Sequence, residues 1–176
     1  MATQTPTAIK PKQDTAPEQQ LQKLREIYAD APEVGRVALE KIMRELEAAH
    51  RARQKAATAG RIGLRQGTVS ELTSIVKLKP GDAKRLRTLL DVLGNNFQGA
   101  DKVGTLHDMR FVFLDNDTKL LFATAYDGDW DPYIDDFATK IPDALDVLFC
   151  DAESYPGMHS PAVRDWTASN QITADA

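Results

Sequence analysis

The 176-residue chain combines 42% hydrophobic with 27% charged residues, enough for one domain with a real core and too little for two large ones. Its net charge of −4 does not recommend nucleic acid as a partner, and no apolar run approaches the roughly 18 residues that a membrane-spanning helix needs. Cys150 is the single cysteine, which excludes an internal disulfide and a thiolate-rich zinc or iron–sulfur site, and Met1 to Lys12 lacks the apolar stretch of a secretory signal, so the expected compartment is the cytoplasm.

Residues 1–16, rich in Thr, Pro, Gln and Lys, predict a disordered tail. From Pro17, the helical spacing of Leu21, Leu24, Ile27 and Tyr28 predicts a short helix ending near Asp30. Asp30 as N-cap and Pro32 in the first turn then open a longer helix, whose stripe of Val34, Ala38, Ile42, Leu46 and Ala49 runs to about Ala57. Its remaining faces, with Glu40, Lys41, Arg44 and Glu45, read as solvated charge. Residues 17–57 are thus a helical extension, and the glycines of Thr58 to Gly67 link it to a core domain over 68–170.

In that domain, Glu71 to Lys79 alternates as a strand and stops at Pro80-Gly81. Asp82 caps a helix with the stripe Ala83, Leu86, Leu89, Leu90 and Leu93, Lys84, Arg85 and Arg87 facing away and Gly94 ending it. Leu106 to Leu114 and Leu120 to Tyr126 are strands joined by Asp115-Asn116-Asp117-Thr118, the turn chemistry of an antiparallel hairpin. A helix follows from Trp130 to Lys140, closed by Pro142. The apolar run Val147 to Cys150 within Asp146 to Asp151 reads as a buried fourth strand. Pro161 to Asn170 adds an amphipathic segment, and 171–176 read as frayed. The order β-α-β-β-α-β predicts an α+β, ferredoxin-like core, in which both helices cover one sheet face and the other needs cover from elsewhere.

Period-two alternation puts His107 with Met109, Phe111 and Phe113 on one face of its strand, and Asp108 with Arg110, Val112 and Leu114 on the other. The His107 imidazole is a candidate base or axial ligand, and Arg110 a candidate anion contact or ion-pair member. The acidic run Asp127-Gly128-Asp129-Trp130-Asp131 fails as a calcium loop, because Pro132 stands where glycine is required and the twelfth position lacks glutamate. It reads instead as a turn, with Gly128 at positive φ and Asp129 or Asp131 capping the next helix, while Asp127 stays a candidate pocket carboxylate. His159, in a turn before the cap residue Ser160, is a second candidate ligand without a companion at metal-site spacing, so no metal site is predicted. Cys150 reads as a small core residue. There is no phosphate-binding glycine loop, nucleophile elbow or His-Glu-x-x-His helix.

The runs Gly104 to Leu114, Leu120 to Gly128, Tyr133-Ile134-Asp135-Asp136-Phe137 and Tyr155-Pro156 resemble a group within the dimeric α+β barrel superfamily, over roughly residues 68–170. That superfamily includes dye-decolorising peroxidases, chlorite dismutases and small cofactor-free monooxygenases. The resemblance implies a homodimer with two sheets face to face and a pocket beside each. It does not select a reaction; the first functional reading is a small oxidoreductase holding an apolar substrate or haem, with His107, Asp127 and Arg110 as candidate catalytic groups and His107 or His159 as the haem ligand. Only Asp127-Gly128 remains of the peroxidases' Gly-x-x-Asp-Gly motif. The competing reading is a non-catalytic dimerisation or scaffold protein that docks a protein partner through its N-terminal helices.

Overall fold

A computed structural model describes residues 17–53, 69–93 and 103–172. The predicted tail, the linker Thr58 to Gly67, the end of the second helix past Arg53, the stop at Gly94 and residues 173–176 lie outside the described residues. In chain order the elements are α1 (Pro17–Ile27), α2 (Glu33–Arg53), β1 (Val69–Lys77), α3 (Ala83–Leu93), β2 (Leu106–Leu114), β3 (Lys119–Asp127), α4 (Trp130–Lys140), α5 (Pro142–Phe149) and α6 (Val163–Asn170). The protein is α+β, with one three-stranded antiparallel sheet in the order β1-β3-β2. Among the described residues no helix is long and apolar enough to cross a membrane.

The β2–β3 turn forms because Asp115, Asn116 and Asp117 all adopt positive φ, which Asp and Asn tolerate better than most residues. Thr118 Oγ1 then closes it by donating to the Asp115 carbonyl at 2.8 Å. Alternate residues of the strands, Leu72 and Val76 on β1 and Leu120, Phe122 and Tyr126 on β3, are buried. Helices meet that face through rings: Tyr133 of α4 stacks on Tyr126 at 3.7 Å, and Phe149 of α5 meets Phe122 edge-on at 5.2 Å. Both N-terminal helices spend their apolar stripes on this same core, burying Leu24, Tyr28, Ala38, Leu39 and Met43.

The segment Asp146 to Asp151 is not a strand. It belongs to α5 and the turn after it, and Pro142, which the sequence suggests as a helix stop, occupies the first turn of a new helix. Leu145 to Cys150 are all buried, so no polar face marks a helical period, and a short apolar run suits a buried helix and a buried strand equally. What reaches the outer edge of β1 is slight. Ala152 makes an isolated bridge with Leu78, flanked by bonds from Lys79 N to Asp151 O and from Glu153 N to Lys77 O, and Gln171 bridges Ser74.

Arg85 differs from expectation too, being buried rather than facing solvent. Its Nη1 donates to Asp151 Oδ1 and its Nη2 to Asp30 Oδ1, each at 2.6 Å, and its Nε donates to the Ile27 carbonyl at 2.9 Å. One guanidinium thereby ties α3 to the end of α1 and to the turn after α5. Cys150 is a core residue as predicted. Burial pushes its thiol up to about 12, so it stays neutral and unreactive near pH 7.

Candidate functional site

Pairing along β2 slips by one residue at its start: Leu106 faces Tyr126 while Asp108 faces Ala125, which makes His107 the extra residue of a β-bulge. Simple alternation therefore fails at this point. Leu106 takes the place beside Met109, Phe111 and Phe113, and His107 leaves that face, its Nε2 lying 2.7 Å from Asp127 Oδ1. The apolar face itself is filled by the chain's own packing, with Phe111 5.2 Å from Phe122 and the Arg87 guanidinium 4.0 Å above Phe113. A haem plane could not lie there without displacing those contacts. Arg110 points away from the core and pairs with Asp108 at 2.5 Å. The structure thus joins His107 to Asp127, gives Arg110 a separate partner, and puts His159 in a different cluster.

The turn before α4 is formed as expected at Gly128, whose φ is +95°. Asp129 occupies the N-cap position, but its side chain makes no capping hydrogen bond. Asp131 serves instead, with Asp135, as an anchor for Arg164, so these two carboxylates clamp α4 to α6. Ser160 Oγ accepts from the Ala162 amide at 3.2 Å, just ahead of α6.

A cleft of about 340 Å³ opens between α2, α5 and the turn that carries His159. Asp143 and Asp146, one helical turn apart on α5, and His159 each bring a ligand atom within 4.8 Å of the others. Lys41 of α2 donates to Asp143 Oδ1 at 2.8 Å. Asp146 is only 3% exposed, and its Oδ1 accepts from the Tyr155 hydroxyl and from the Met158 amide, both at 2.7 Å. Burial, reinforced by the Asp146 charge, pushes the Tyr155 hydroxyl far above its ordinary pKa and keeps it a donor. The sequence reading missed Asp143 and Asp146 because it places Asp146 in a strand. Two residues three apart point to opposite faces of a strand but share one face of a helix. The signal available was Pro142-Asp143, an apt helix start.

The sheet face opposite the core is only partly covered. Across β1, β3 and β2 its rows read Glu71–Ala125–Asp108, Thr73–Ala123–Arg110, Ile75–Leu121–Val112 and Lys77–Lys119–Leu114. Val112 is 45% exposed, and Ile75, Leu121, Ala123 and Ala125 are partly buried. Along the strands, Glu71 and the Asp108–Arg110 pair stand toward one end, a bulky apolar row lies inside the other, and lysines stand beyond it.

No protein-family model matches the chain, and no curated protein or solved structure matches it either. The class is defined by the architecture alone: an α+β protein with a three-stranded antiparallel sheet backed by helices.

Proposed function

We propose that this chain is a dimerisation and scaffold module in which a second copy covers the open sheet face. Its core reads as ferredoxin-like, with the fourth strand shortened to the bridges at Ala152 and Gln171. The order β1-β3-β2 and the position of those bridges on the outer edge of β1 support this. The N-terminal helices have their apolar stripes in the core, which leaves the sheet as the docking surface.

The observation that carries the reading is the order of the rows. A second copy turned about an in-plane axis perpendicular to the strands sets Glu71 opposite the partner's Lys77 and lays the bulky row Ile75–Leu121–Val112 over the row Thr73–Ala123–Arg110, whose first two members are small and whose arginine is already paired with Asp108. Rotation about an axis along the strands would set acid on acid instead. Lys119 is already bonded to Asp115 at 2.6 Å, whereas Lys77 makes only a 3.9 Å contact with Glu153 and is free to turn to a partner. Face-to-face sheets pack about 10 Å apart, with strands within about 30° of each other, which suits such a pairing.

Sedimentation at micromolar concentration should give twice the 19.5 kDa chain mass. Val112→Arg, which sets a like charge over the partner's Arg110, should give monomer. Glu71→Lys and Lys77→Glu should each weaken the dimer several-fold, and combining them should restore it. A monomeric wild type would end this reading.

A second reading, a small oxidoreductase holding an apolar substrate, draws on the contact between His107 and Asp127. A carboxylate on one ring nitrogen orients the imidazole and leaves Nδ1 as the free base. Because the neighbouring apolar face is filled, haemin should give no saturable Soret shift that depends on His107. A shift seen in the wild type and lost in His107→Ala would favour the oxidoreductase.

A further inference from the structure

We propose that Asp143, Asp146 and His159 bind a divalent transition-metal ion of the Zn²⁺ or Mn²⁺ kind in the cleft between α2 and α5. Ligand atoms held about 2.0–2.2 Å from an ion lie up to roughly 4 Å apart. The observed set, within 4.8 Å, closes on an ion by small side-chain rotations. Two carboxylates and one imidazole suit these ions, and the imidazole disfavours Ca²⁺ and Mg²⁺.

Three further observations bear on the site. Asp146 is a buried carboxylate whose two hydrogen bonds come from neutral donors, and both of them use Oδ1. Neutral donors compensate a buried negative charge only in part, and a cation directly beside it adds to that compensation. The Met158 amide that binds Asp146 belongs to the residue next to His159, so one hydrogen bond positions two ligands at once, as outer-shell contacts do in metal sites. Lys41 occupies the cation's place at Asp143, and the cleft has room for the ammonium to withdraw and for water to complete the coordination shell. The proposal is independent of dimer formation.

The test is calorimetric titration of the full chain with ZnCl₂ and, separately, MnCl₂ near neutral pH. One saturable site per chain is expected. His159→Ala, at an exposed position where folding tolerates the change, should weaken it by about tenfold or more, and so should Asp143→Asn. Lys41→Ala should tighten binding by removing the competing ammonium, an effect that a purely structural ion pair would not produce. His107→Ala, at the separate His107–Asp127 contact, should leave the metal affinity unchanged. Absence of saturable binding up to millimolar metal would overturn the proposal, as would binding indifferent to His159→Ala. Unchanged affinity in Lys41→Ala would remove Asp143 from the ligand set and overturn the site as stated.

Discussion

Replacing Arg85 with Met should destabilise the protein by about 3–5 kcal/mol, the usual cost of removing one partner from a buried ion pair. The side chain keeps most of its volume, so the loss is chiefly electrostatic. The Arg85 and Asp151 side chains are 6% and 4% exposed, and the substitution leaves the Asp151 carboxylate buried without its hydrogen-bonded cation and the Ile27 carbonyl without its donor. Asp30 matters much less. Its hydrogen bond from Arg85 holds its carboxyl below the usual carboxylate range, but the side chain stands in solvent, where such contacts are screened.

Burial already pushes the Asp151 carboxyl above its ordinary value, against the pull of Arg85. Without the guanidinium it should rise further. A carboxyl whose folded pKa is raised loses stability as pH climbs from its unfolded value, near 3.9, toward the folded one. The Arg85→Met deficit should therefore be largest at neutral pH and shrink on acidification. Urea unfolding at pH 7 and pH 5 checks this, and Arg85→Met/Asp151→Leu should recover most of the loss. A double variant as unstable as the single one would mean that packing, and not the orphaned charge, sets the cost.

Gly35→Ala should also destabilise, by about 1–3 kcal/mol. In an open helix the same change would stabilise by about 1 kcal/mol, because glycine is a poor helix former. Here the added Cβ would lie 2.5 Å from Cys150 Sγ and 2.7 Å from its Cβ, so α2 and α5 would have to separate. Overpacking wins because Cys150 is short and its Cβ cannot move without the backbone. This contact sets the spacing of α2 and α5, the two helices that wall the cleft of Asp143 and Lys41. A thermal melt that rose in Gly35→Ala would show that the helices slide apart freely.

The elements most legible in the sequence are those with local causes. β2 and α4 have the bounds that the residues predict, Leu106–Leu114 and Trp130–Lys140, because alternation, the Asp115–Thr118 turn and the strand-to-helix turn at Gly128 act over a few neighbouring residues. What only the tertiary structure decided depends on partners far along the chain. The bulge that turns His107 toward Asp127 arises from β2 pairing with β3, and alternation along one strand carries no trace of it. Arg85 is buried because Asp151, 66 residues away, and Asp30, 55 residues away, converge on it, whereas its own helix offers only a charged position beside Lys84 and Arg87. The run Val147 to Cys150 has no polar face from which to read a period, so packing against α2 made it helical, and that in turn put Asp143 and Asp146 on one side, facing His159.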